Sequence, residues 1–157
     1  GNNEMRSYVP APGPDGVVTE YPEGRFTDDQ QRDLLHGYYA AVSFIDSLLA
    51  EMLAELEKSG QADNTIIVLW GDHGWHLGDH GMWGKHTTME QANRVPLIIH
   101  SPGRNAGNAS TTVELMDLIP TLVELADLDM PPGLMGKRQV PVLDDPSADH
   151  DKPAITQ

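Results

Sequence analysis

The chain has 157 residues, a formal net charge of −14 and no cysteine. A surface this acidic repels nucleic acid, so we expect no nucleic-acid partner. The lack of cysteine excludes disulfides, thiolate zinc sites and a cysteine nucleophile among these residues. No apolar run approaches the roughly 18 residues of a membrane-spanning helix, so no membrane span is expected.

The first 26 residues are rich in proline and glycine, which predicts an irregular loop or linker over 1–26. The folded part is expected over 27–157 and begins with a long amphipathic helix. Thr27 is a good N-cap, and Gly60 suits the left-handed position after the last turn. One face of this helix is expected to be buried, formed by Leu35, Tyr38, Val42, Ile45, Leu49, Met52 and Leu56. A helix of about 30 residues is roughly 45 Å long and needs a larger body to pack against than this chain offers.

Two apolar runs and a second helix follow. The run 65–70 is β-branched and apolar without alternation, which predicts a strand buried on both faces of a parallel sheet. The run 95–100 predicts another buried strand, with Pro96 at its start or at a bulge. A helix is expected over about 114–127, with Pro120 in its first turn, and 129–151 has loop composition. Helices that alternate with buried strands indicate an α/β fold.

The glycine-rich segment Gly71–His86 carries four of the seven histidines. Asp72 and His73 directly follow the first predicted strand, and ligands bind at the carboxyl ends of strands in open α/β sheets. An aspartate oxygen and a histidine nitrogen can both ligate a divalent cation, and Lys85 could return as a point charge towards an anion. The competing interpretation is a hydrogen-bonded turn without a ligand, with Trp75 and Trp83 as packing residues.

The same segment lies within a longer run of motifs that resembles the sulfatase family, closest to its iduronate-2-sulfatase-like branch. The resemblance covers roughly residues 27 to 157 in unbroken order. Its motifs are Asp63-Asn64-Thr65-Ile66, Gly71-Asp72-His73-Gly74, Leu77-Gly78-Asp79-His80-Gly81, Trp83-Gly84-Lys85-His86, Arg94-Val95-Pro96-Leu97-Ile98 and Glu114-Leu115-Met116-Asp117-Leu118-Ile119-Pro120.

The resemblance implies a partial alkaline-phosphatase-like sandwich, with a mostly parallel sheet flanked by helices. It implies hydrolysis of sulfate esters on a sulfated small molecule or saccharide, in a periplasmic, extracellular or lysosome-like location. Asp72 and His73 match half of the family's cation site, where calcium is expected and another divalent metal is possible. Lys85 matches the lysine that contacts the sulfate.

The chain also departs from the family pattern. It lacks the motif in which a cysteine or serine becomes the formylglycine nucleophile, so we expect that nucleophile outside this chain. The chain therefore resembles a middle-to-late segment whose partner is the missing N-terminal part of the same polypeptide, and we expect it to be inactive alone. His86 and His76 are the local candidates for protonating the leaving group.

Two other functions stay open at this point. One is a phosphodiesterase or phosphonate hydrolase of the same superfamily, which would use paired metals. The other is a non-catalytic remnant that still binds a metal ion.

Overall fold

The structure is a computed structural model that describes residues 26–148 and 153–156. The loop predicted over 1–26 therefore lies outside the described residues, apart from Phe26. The described chain divides into two compact units, one formed by 26–59 with 70–97 and the other by 60–69 with 98–148 and 153–156.

The regular elements are four helices and four short strands within the described residues. In chain order they are α1 (Asp28–Lys58), β1 (Ile67–Trp70), β2 (His76–Leu77), β3 (Trp83–Gly84), α2 (Glu90–Asn93), β4 (Leu97–His100), α3 (Leu118–Leu125) and α4 (Val140–Asp144). Single 3₁₀ turns lie at Ala62–Asn64, Asp79–Gly81 and Leu115–Asp117.

Helix α1 begins and ends where the sequence predicts. The Thr27 hydroxyl accepts from the amide of Gln30, whose side chain accepts from the Thr27 amide, so a capping box closes the first turn. Gly60 follows the helix with a φ of 69°. The prediction of a buried face was wrong for the described residues, because none of the 31 residues of α1 is buried. In the part of the chain that the structure describes, no helix has the length and apolarity to cross a membrane.

The core of the first unit lies under the N-terminal turns of α1. The rings of Phe26 and Trp83 meet edge to face, with centroids 5.8 Å apart, and both side chains are almost fully enclosed. Half-buried apolar side chains from α1 and from the β2–β3 region pack against this pair, namely Leu34, Leu35, Trp75 and Leu77. These contacts confirm the predicted packing role of both tryptophans, and they attach the β2–β3 region to α1.

The strands form two two-stranded sheets. Strands β2 and β3 pair antiparallel, with His76 opposite Gly84 and Leu77 opposite Trp83. Strands β1 and β4 are hydrogen-bonded neighbours, and the Gly71 amide after β1 donates to the Pro96 carbonyl before β4. A mostly parallel sheet is therefore not formed by the described residues and stays a prediction.

Strand β1 also differs from its predicted environment. It was expected to be buried on both faces, but Trp70 is 51% exposed and Leu69 is also exposed. Ile67 and Val68 are half-buried, and β4 is the neighbouring strand of β1 among the described residues, so burial on both faces is not reached here. Strand β4 begins directly after Pro96, as expected for a residue that cannot donate to a ladder. Its predicted burial is not found, because Ile98 is 58% exposed.

The second unit is organised by a buried polar network around α3. Asp117 and Thr121 are fully enclosed, and the Thr121 hydroxyl donates to the Asp117 carbonyl. That hydroxyl also accepts from the amide of Gln139, and the Asp117 carboxylate accepts from the amide of Lys137. The network holds residues 137–139 against α3 and leads into α4, a helix within the predicted loop region 129–151. Pro120 lies in the first turn of α3, as predicted.

Candidate functional site

The corner that follows β1 is held in place by backbone contacts. The Gly74 amide donates to the carbonyl of Ala92 over 2.8 Å. A Cβ at Gly74 would stand 2.1 Å from the carbonyl oxygen of Gln91, so only glycine permits this approach. Asp72 and His73, between β1 and Gly74, are therefore carried on a backbone that is fixed at both ends.

Three of the residues predicted for the site come together at this corner. The Asp72 Oδ2 atom lies 3.5 Å from Nε2 of His73. The Nζ atom of Lys85 lies 2.7 Å from the same nitrogen. The Asp72 side chain is 83% exposed and that of His73 is 34% exposed, so the group opens to solvent.

The hydrogen bonds of His73 determine which ring nitrogen carries the proton. Its Nδ1 lies 2.9 Å from the carbonyl oxygen of Gly74, which can only accept, so Nδ1 carries the hydrogen. An ammonium group can only donate, so Nε2 accepts from Lys85 with its lone pair. This assignment leaves one lone pair on Nε2, which accepts from Lys85 here and could ligate a metal ion only once the ammonium group has moved away, while a backbone carbonyl holds the opposite nitrogen.

This arrangement suits a positive charge. The Asp72 carboxylate and the Nε2 of His73, which carries no hydrogen, are both electron-rich and lie 3.5 Å apart, and the Lys85 ammonium group already lies beside Nε2. Neither can donate to the other, so a cation beside them relieves their repulsion. An oxygen and an imidazole nitrogen at this separation can ligate one divalent ion. Within 26–148 and 153–156, no group of three or more histidine or acidic residues could hold a metal ion, so this corner offers two candidate ligands.

Lys85 is placed by the β2–β3 hairpin. It directly follows Gly84 in β3, and the neighbouring Trp83 is anchored in the core. The Thr87 amide donates to the Lys85 carbonyl over 2.8 Å, which closes a tight turn after the lysine. The lysine therefore approaches the Asp72–His73 corner from a segment with its own buried anchor.

The two histidines predicted as proton donors occupy different environments. His86 is exposed and follows Lys85 in the chain. His76 is fully enclosed, and its Nε2 lies 2.8 Å from the hydroxyl of Thr87. Sequence reasoning missed Thr87, because it lies eleven positions after His76 and no spacing rule links the two. It also missed the contact of Gly74 with α2, for which the abundance of glycine was the one available signal.

Comparison with known proteins decides the family. The sulfatase family model matches residues 8–128, which is more than half of the chain. The chain belongs to the sulfatase family. Among curated sulfatases, iduronate 2-sulfatase from Mus musculus is 35% identical, over 71% of this chain and 25% of its own length. An N-acetylglucosamine-6-O-sulfatase from Bacteroides thetaiotaomicron is 37% identical, over 70% of this chain and 20% of its own.

A solved structure extends the likeness to the fold. It has a TM-score of 0.59 and 36% sequence identity, and it covers 69% of this chain and 22% of the solved one. That protein was solved in complex with its substrate, D-glucosamine-2-N,6-O-disulfate. This sulfatase chain therefore has part of the α/β fold of its relatives, and it spans about a quarter of the length of the first curated ones.

Proposed function

We propose that this chain is the segment of a sulfatase that supplies two ligands to a divalent cation and one lysine to the sulfate. The convergence of Asp72 Oδ2, His73 Nε2 and Lys85 Nζ at one corner carries the proposal. Membership of the sulfatase family supports the reaction class, which is hydrolysis of a sulfate ester. The complete polypeptide is the enzyme in this proposal, and the 157-residue chain alone is inactive.

Asp72 and His73 are the residues that would hold the cation, for which we propose calcium. A bound divalent ion neutralises charge on a sulfate oxygen as sulfur is attacked. His73 is prepared for this role because its Nδ1 proton is committed to the Gly74 carbonyl. Two ligands bind a hard cation weakly, so the remaining oxygens are expected from residues outside the described chain.

Lys85 would neutralise a second oxygen of the sulfate. The chain has a net charge of −14, which repels an anionic substrate unless cationic groups reverse the field locally. The lysine carries such a charge, and its flexible stem ends 2.7 Å from His73. In this proposal the Lys85 ammonium group turns from His73 to the sulfate, and Asp72 and His73 would hold the cation.

The substrate class is a sulfated sugar. The relatives named for their reaction include an iduronate 2-sulfatase and an N-acetylglucosamine-6-O-sulfatase. The solved neighbour holds a disulfated glucosamine as its substrate. His86 is the exposed candidate for protonating the leaving oxygen, His76 is the enclosed one, and the formylglycine nucleophile lies outside this chain.

The test is made on the complete polypeptide with a sulfated monosaccharide as substrate. Lys85→Ala should lower turnover by about tenfold or more, because a charge that stabilises the reacting sulfate is lost. Lys58→Ala is the matched control, since Lys58 is an exposed lysine in the last turn of α1. An unchanged turnover in Lys85→Ala removes this lysine from the site.

Metal content of the same protein tests the ligands and separates the other functions. We expect one calcium per polypeptide, lost in Asp72→Asn and retained in Asp63→Asn, an exposed aspartate in the turn before β1. Two metals per polypeptide would favour a phosphodiesterase or phosphonate hydrolase. Metal binding without any ester hydrolysis would favour a non-catalytic remnant.

A further inference from the structure

The imidazole of His76 is the most enclosed titratable side chain beside the proposed site. It has no exposed surface, and its Nε2 lies 2.8 Å from the Thr87 hydroxyl. Its Nδ1 is buried and has no hydrogen-bond partner among the described residues. Burying an imidazole is costly without compensating hydrogen bonds, so the bond to Thr87 determines how this ring is held.

The same residue also holds the chain on the other side of Lys85. The backbone of His76 lies in β2, opposite Gly84 in β3. Gly84 immediately precedes Lys85, and Thr87 lies two positions after Lys85. His76 therefore contacts the loop of Lys85 twice, through its backbone before the lysine and through its ring after it.

The loop between these two contacts is short and internally bonded. The Thr87 amide donates to the Lys85 carbonyl, and the Thr87 hydroxyl accepts from the amide of Met89 over 3.3 Å. The hydroxyl thus joins the His76 ring to the turn that carries the lysine. Lys85 has a flexible stem, so the direction of its ammonium group depends on how firmly its backbone is held.

We infer that His76 is a positioning residue that acts through Thr87 to aim Lys85 at the Asp72–His73 corner. This inference rests on the proposed sulfate contact of Lys85 for its effect on turnover. An enclosed ring suits this positioning role, because the side chains packed around it hold it in one orientation. A small displacement of a charged group at a reacting centre costs rate even when the fold is intact.

The test is a double-mutant cycle on the complete polypeptide. Thr87→Val keeps the shape of the side chain and removes the hydroxyl, while Thr87→Ser keeps the hydroxyl. We expect Thr87→Val to lower kcat by about tenfold when Lys85 is present and by less than about twofold in Lys85→Ala. Thr87→Ser should retain most of the rate in both backgrounds.

A second threonine supplies the control. Thr121 is fully enclosed and lies in the other unit, where its hydroxyl bonds Asp117 and Gln139. Any loss of kcat in Thr121→Val comes through lower stability. The ratio of kcat before and after this substitution should therefore be the same with Lys85 and in Lys85→Ala. An equal loss for Thr87→Val in both backgrounds would overturn the inference, and it would also be the result if His76 itself protonated the leaving group.

A readout without catalysis separates this inference from the proposed function. Reductive methylation of the Lys85 amine, followed by mass spectrometry, reports how well the lysine is held against His73. Its rate should rise about threefold or more in Thr87→Val and stay at the starting value in Thr87→Ser. If Lys85→Ala leaves turnover unchanged, the proposed sulfate contact fails, and the methylation rates alone decide the inference. Equal methylation rates in all three proteins would overturn it.

Discussion

Helix α1 and the site segment, defined as residues 71–89, are ordered by opposite means. The helix is one regular element of 31 residues, and none of them is buried. The site segment has no regular element longer than three residues, yet it encloses His76 and Trp83 almost completely. Local hydrogen bonds and caps maintain the helix, whereas contacts between residues distant in sequence maintain the segment.

The two regions also differ in how many of their large apolar side chains are buried. Large apolar side chains of α1 remain exposed, among them Val42, Phe44, Ile45 and Met52. Most helical stability in proteins comes from packing an apolar face, so α1 is a helix whose main source of stability is not provided by the described residues. The site segment owes its order to the Phe26–Trp83 core and to the approach of Gly74 to α2.

The largest expected effect tests the core of the site segment against an aromatic residue of α1. Trp83→Ala removes an enclosed ring and should lower the free energy of unfolding by about 3–5 kcal/mol. Tyr39→Ala removes a ring that is 62% exposed and should change it by less than about 0.5 kcal/mol. Urea unfolding followed by circular dichroism measures both, and equal losses would contradict the comparison.

A pair of glycines gives the next largest effect, with opposite signs in the two regions. Gly74→Ala drives a methyl group into the Gln91 carbonyl and should destabilise the protein by about 1–3 kcal/mol. Gly37→Ala in α1 meets nothing within 4 Å and should stabilise the helix by about 0.5–1 kcal/mol. The same unfolding experiment compares the two variants. If Gly74→Ala also raised the free energy of unfolding, Gly74 would have room for a side chain.

The smallest effect expected in this 157-residue chain concerns the apolar face of α1, and it asks what covers that face. Ile45 is 58% exposed, so Ile45→Ser should change the unfolding free energy of this chain by less than about 0.5 kcal/mol. In the complete polypeptide the same change should cost about 1.5–3 kcal/mol, because the rest of the sulfatase would bury this side chain. A small effect in both proteins would mean that this face stays open.

Sequence reasoning succeeded where a local rule decides the structure. Thr27 begins α1 and Gly60 follows its end, because a cap and a positive φ depend on adjacent residues. Pro120 lies in the first turn of α3 for the same kind of reason. The loop predicted over 129–151 missed α4, because its five residues are too few for a periodic pattern.

The site was predictable in part. Asp72 and His73 stand at the end of a strand, Lys85 lies in the same glycine-rich segment, and the resemblance to sulfatases implied a role for each of them. The spacing along the chain does not show that Lys85 Nζ reaches His73 Nε2, and it does not pair His76 with Thr87. Both contacts depend on the β2–β3 hairpin, whose two-residue strands carry no alternation that a sequence could display.

By itself, the sequence determined the helix, its caps, the family and the three residues that we propose for a cation and a sulfate. These features depend on neighbouring residues or on motifs, which a linear chain displays. The tertiary structure decided the proton on His73, the enclosure of His76 and the approach of Gly74 to α2. These depend on the distance between atoms far apart in the chain, and that distance exists only after folding.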